Sequence, residues 1–153
     1  MTGVPRTELE ISGSSHPTDD TWVLYFPWPT NPMPMNGSRG AHWGPHARKS
    51  RTTRTAVHYS ALAAKIPALG KCEVQLIWWV ATNGRRDPAN LAALEKPMFD
   101  ALVDAGVVPD DNPTYMTTPR AEIRHYHQGA GFVTGPGFTL HIRRITPDPE
   151  WED

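Results

Sequence analysis

The nine residues Cys72–Val80, CEVQLIWWV, constrain the fold more than any other stretch. Strand formers dominate, and towards the end both faces are apolar, which marks a central strand covered on both sides. Helical patterns flank it. Residues 46–65 read as a helix with Val57, Ala61 and Ala64 on an apolar stripe, while Arg48, Arg51 and Arg54 share one side. Pro67 and Gly70 end it. Beyond the strand, Asp87 is suited to an N-cap and Pro88 to the first helical position. Leu91, Leu94, Met98, Leu102 and Ala105 then repeat at three and four, and Gly106 is a natural stop. This predicts a helix over residues 88–105 that kinks or restarts at Pro97. A first strand is expected at residues 22–26, before Pro27 and Pro29, another within residues 115–127 and a last at residues 138–145. In the last, Phe138, Leu140 and Ile142 alternate with Thr139, His141 and Arg143. A long Pro/Gly loop fills residues 27–46 and a Gly-rich turn residues 129–137. The order β, loop, α, β, α, β, β predicts a small single α/β domain: one mixed sheet of about four strands with two helices.

A chain of 153 residues suits one domain, here residues 21–146. Residues 1–20 read as a disordered polar tail and residues 147–153 as an acidic one. The lone Cys72 excludes an internal disulfide framework and a multi-cysteine zinc site, and suits a reducing cytoplasm. No apolar run approaches the ~20 residues of a membrane helix, and the first residues lack the pattern of a signal peptide. The net charge of −1 is unevenly spread: without the two tails, 14 Lys and Arg face 8 Asp and Glu, an excess of six positive charges. Residues 36–65 carry Arg39, Arg48, Lys49, Arg51, Arg54 and Lys65 with no acid. That is the footprint of a polyanion binder, or else a solvated helix face.

Residues 85–111, RRDPANLAALEKPMFDALVDAGVVPDD, carry the chemistry. Asp87 follows Arg85 and Arg86, Lys96 lies in the next helix, and Asp110 and Asp111 come just beyond it. Carboxylates at element ends suit Mg²⁺, which takes hard oxygen ligands and is often held by one or two carboxylates plus a substrate phosphate. Arg and Lys nearby would bind the phosphates. Each piece has a plainer reading: Asp87 as an N-cap, Asp110 and Asp111 as turn acids before Asn112–Pro113, and Lys96 paired with Asp100 four residues on.

Together these residues resemble the RusA family of Holliday-junction resolvases, small homodimeric Mg²⁺-dependent endonucleases that cut four-way DNA junctions. The resemblance spans residues 22–145 in element order and is specific at Arg85–Arg86–Asp87, Asn90–Leu91, Lys96, Phe99–Asp100–Ala101–Leu102, Ala105–Gly106 and Asp110–Asp111. Asn36, Arg39 and His42–Trp43 are similar to the family's N-terminal loop. It implies that Asp87, Asp110 and Asp111 are metal-binding catalytic acids, with Mn²⁺ able to replace Mg²⁺, and that Lys96 contacts the phosphate. It also implies DNA contacts by Arg39, His42, Arg48, Arg51, Arg54, Arg85, Arg86 and Lys96, within a bacterial or phage-infected cytoplasm. Two departures stand out. Ala89 sits where the family often has a second Asp, as in other DPAN-type members, and three extra residues separate Asn90 from Lys96. Glu95 is a candidate replacement carboxylate. The rival readings are a junction binder that does not cut and a metal-independent DNA-binding module.

A helix over residues 88–105 is about 27 Å long, which holds Asp87 apart from the acids that follow it. Two such helices packed antiparallel about a twofold would bring Asp87 of one chain near Asp110 and Asp111 of the other. The histidines are weaker signals. His42 and His46 are four apart in a Gly/Pro loop, and His125 and His127 alternate on a strand, facing one side with no third ligand evident. Trp43 could stack on an unpaired base or anchor its loop in the core.

Overall fold

The computed structural model describes residues 20–34 and 43–145. The expected tails, apart from Asp20, lie outside the described residues together with Asn36, Arg39 and His42; Asp20 O accepts from Arg144 N at 2.7 Å. Five strands and two helices follow in the order β1 (Thr21–Phe26), α1 (Trp43–Ala63), β2 (Cys72–Val80), α2 (Ala92–Asp104), β3 (Met116–Thr117), β4 (Glu122–His125) and β5 (Gly137–Arg144). The sheet runs β1-β5-β2, with β3 and β4 both on the far edge of β2. β5 is antiparallel to β1 and to β2, whereas β3 and β4 run parallel to β2. The α/β class and the mixed sheet are therefore as expected, and β2 is central.

Three boundaries differ from the sequence reading. The strand sought within residues 115–127 is two short strands, giving five in all, because Pro119 has no N–H to donate to a ladder. α1 begins at Trp43, not at His46. Pro45 falls in its first turn, where backbone N–H groups have no intrahelical partner anyway. Helix α2 does not break at Pro97. The change comes earlier, where a 3-10 turn over Pro88–Leu91 hands over to the α-helix at Ala92.

Both helices cover one face of the sheet. Val57 and Ala61 of α1 and Leu94, Met98, Ala101 and Leu102 of α2 meet Leu24, Val74, Leu76, Phe138, Leu140 and Ile142 in one core. Aromatic rings run across this face. Trp78 stacks on Phe138 at 5.3 Å and 11°, and Trp28 bridges Phe138 and Phe26 at 5.8 and 4.8 Å.

Each helix ends in the same capping motif. After α2, Gly106 at φ 81° sends its N–H to Val103 O, and Val107 N–H reaches Leu102 O. After α1 the equivalent pair is Lys65 to Leu62 and Ile66 to Ala61, with Lys65 at φ 58°. A side chain in that left-handed region costs about 1 kcal/mol that glycine does not incur. Lys65→Gly is expected to raise stability by about 1 kcal/mol in urea denaturation, with an unchanged slope.

The other sheet face carries a smaller cluster of Ile77, Trp79 and Val133, with Tyr126 and Phe132 packed on it. Trp79 Nε1 donates to the buried Thr139 hydroxyl at 2.7 Å, and that hydroxyl pairs with His141 Nε2 at 2.8 Å. Burial, then the charge of Arg124, push His141 down to about 4, with Glu122 opposing. The unfolded chain, near 6.5, therefore takes up this proton first. Stability is full above pH 6.5 and falls as pH drops towards 4. A loss of about 2 kcal/mol between pH 7.5 and 5 is expected in denaturant titrations. His141→Gln should flatten that slope. Asp104, held low by its bond to Arg54, and Glu122, where burial is outweighed by the bonds from Arg124 and Gln75, both lie below the ordinary carboxylate range.

Candidate active site

The apolar side of α2 is buried in the core, which leaves Lys96, Asp100 and Asp104 along its outer side at intervals of four. Lys96 Nζ donates to Asp100 Oδ1 at 3.0 Å and to Asp111 Oδ2 at 3.2 Å. Those two bonds hold the ammonium above its ordinary pKa. Asp111 reaches the helix because the chain reverses at Gly106. Buried Val107 and Val108 then pin the return, and Leu69 N–H bonds Val107 O at 2.8 Å.

The two neighbouring acids have different jobs. Asp110 shapes the turn: its Oδ1 accepts from Asp111 N at 2.7 Å and its Oδ2 from Asn112 Nδ2 at 2.9 Å. Asp111 is the one that faces Lys96. Arg54, from α1, forks onto Asp104 through Nε and Nη2, and its Nη1 lies 3.6 Å from Asp100. Its charge is thus turned towards α2, and the expected DNA contact by Arg54 competes with this pairing. Arg48 and Arg51 are exposed on the same helix.

Asp87 sits at the other end of the segment. It caps the 3-10 turn, accepting from Ala89 N at 3.0 Å, and lies 3.9 Å from Arg120 Nη2. Arg86 is fixed by Thr82 O, Gly84 O and Thr82 Oγ1 at 2.9–3.1 Å, with its guanidinium over the Trp78 ring. Arg85 is exposed beside it. A 3-10 turn and five α residues place Lys96 about 15 Å along the axis from Asp87.

Asp87, Asp110 and Asp111 are therefore not gathered around one point in a single chain. Among the described residues no three His, Cys, Asp or Glu side chains come close enough to hold a metal ion together. Within one chain the three acids expected at the metal are thus held in separate places, Asp87 at its cap and Asp110 in its turn, as the length of the helical segment led one to expect. Glu95, the candidate replacement, is half-buried, and burial raises its carboxyl above the usual range. His125 and His127 do face one side, but as stacked rings of a turn. The Lys96–Asp100 pair was legible from its spacing. Arg120 as the neighbour of Asp87 had no sequence signal, because the two meet only through the parallel strands.

Fold and side chains together define a two-layer α/β domain with a charged cluster on the outer side of its second helix. No family model matches the chain. A protein of Xylella fastidiosa (strain Temecula1), described as uncharacterized, is 25% identical over 124 residues, 76% of each chain. A structural likeness to the periplasmic domain of Helicobacter pylori MotB covers 88% of this chain and 89% of that one. Its TM-score of 0.37 and 13% identity are too distant to carry any argument. No described helix is long and apolar enough to cross a membrane.

Proposed function

We propose that this chain is a Mg²⁺-dependent, structure-specific endodeoxyribonuclease of the RusA kind, cutting four-way or other branched DNA as a homodimer in a bacterial cytoplasm. The observation that carries the reading is the meeting of Lys96, Asp100 and Asp111, residues of the resembled motif, on one side of α2, next to α1, whose Arg54 reaches Asp100 and Asp104 and whose Arg48 and Arg51 are exposed. The carboxylates present fit a site of one or two acids completed by water and phosphate oxygens, not a three-acid cage. Bound there, Mg²⁺ would supply charge neutralisation at the scissile phosphate and a more acidic water. Asp111 and Asp87 would hold it, and the ~15 Å between Asp87 and Lys96 favours Asp87 from one protomer beside Asp111 from its partner. Lys96, which donates to Asp111 at 3.2 Å, would also be the residue to contact the phosphate. Arg48, Arg51 and Arg85 would track the DNA backbone.

A synthetic four-way junction should be cut in Mg²⁺ and left whole in EDTA, with affinity falling steeply as salt rises. Intact junction at all Mg²⁺ and Mn²⁺ concentrations would sink the nuclease reading. Ala89, standing where the resembled family often has Asp, favours a second reading: a junction binder without cleavage. Tight junction binding with no product selects it.

A further inference from the structure

The turn that follows β4 presents three consecutive rings as a fan. His125 and His127 stack at 4.8 Å and 20°, Tyr126 and His127 lie 4.1 Å apart at 36°, and His125 and Tyr126 are 5.2 Å apart at 23°. We propose that this fan is a docking platform for an unpaired nucleobase, an inference that rests on the nucleic-acid reading above.

The fan is held in shape before any ligand arrives. His125 Nε2 bonds Ala81 O at 2.9 Å, so that nitrogen carries the hydrogen, because the carbonyl can only accept. His125 Nδ1 is left to accept from His127 N at 3.3 Å, and Gln128 Oε1 accepts from His125 N at 2.9 Å. Tyr126 is seated against Ile77, Trp79 and Val133. At Gly129 a Cβ would lie 2.6 Å from Val133 Cβ, so the chain can leave the turn this tightly only with glycine there. Core packing accounts for Tyr126 but not for His127, which is exposed and adds a ring to the stack in solvent.

Charge and position complete the case. Val80 pairs with His125, so the fan stands where β2 ends and the chain runs on through Arg85 and Arg86 to Asp87. Arg124, one residue before the fan, lies over Trp79 and is paired with Glu122 at 2.6 Å, so the charge left for a phosphate on this stretch is that of Arg85 and Arg86. A stacked ring beside cations is how proteins hold single-stranded nucleic acid without reading its sequence, since every base has a π-face. A branched DNA supplies unpaired bases at its branch point, and the platform would hold one of them.

Fluorescence anisotropy in EDTA, where no cutting occurs, tests this with a forked DNA bearing an unpaired arm and a fully paired duplex of equal length. His127→Ala should weaken fork binding about tenfold and leave the duplex unchanged, and His127→Phe should keep fork affinity. Equal losses on fork and duplex, or no loss on the fork, overturn the platform. A wild-type chain that binds neither DNA overturns the nucleic-acid reading itself, so the two failures are distinguishable.

Discussion

Asp111→Asn is expected to lower junction cleavage by about 10³-fold in saturating Mg²⁺, while junction binding in EDTA stays the same or tightens slightly. The substitution removes the carboxylate that faces Lys96 and keeps its shape. Asp110→Asn is the control one position away. Its side chain accepts from the Asp111 amide, which an asparagine oxygen can also do, so only a few-fold change is expected. Single-turnover cleavage of a labelled junction separates the two variants. Comparable losses in both would mean that the turn matters and that neither carboxylate is special, and the proposed assignment of Asp111 would fall. Lys96→Ala belongs in the same series. If Lys96 serves only to pair Asp100 with Asp111, its loss should lower stability and leave the cleavage rate of the folded protein intact.

Phe138→Ala is the substitution expected to cost most in folding. Phe138 is fully buried at the start of β5, between Trp78 and Trp28. Removing the ring should destabilise by about 3–5 kcal/mol, from lost transfer and the cavity left behind. Since a domain of this kind is stable by roughly 5–15 kcal/mol, that is a large share. A fall in Tm of roughly 10–20 °C is expected in calorimetry. Phe138→Leu, which keeps most of the volume, should cost less than half as much. The effect should extend to the site, because the face of Trp78 carries Arg86, the residue before Asp87. A Phe138→Ala protein as stable as the wild type would mean that the aromatic row does not hold the sheet to its helices.

Much of the fold was legible in residue order. The 72–80 run announced a central strand because both of its faces are apolar towards its end. Gly106 announced the end of α2 because only a left-handed residue completes that cap without strain. Its counterpart Lys65 gave no such signal, since its positive φ is imposed by Ile66 docking into the core. Pro119 could have split the strand expected at residues 115–127, as a missing donor always threatens a ladder. Pro97 misled, because one absent hydrogen bond is outweighed by a buried helix face built on Leu94, Met98 and Leu102.

For the candidate site, residue types together with the family resemblance pointed to Asp87, Lys96, Asp110 and Asp111, and i,i+4 geometry alone joins Lys96 to Asp100. Which acid of the 110–111 pair turns to the lysine depends on the hydrogen bonds of one turn. The separation of Asp87 from Asp111 depends on how far the 3-10 turn and α2 carry the chain before it folds back. Both are set by long-range packing, of Val107 and Val108 into the core and of β4 against β2. Local sequence governs backbone preference and the apolar pattern, whereas charged side chains on the surface meet only where the buried residues between them place the backbone.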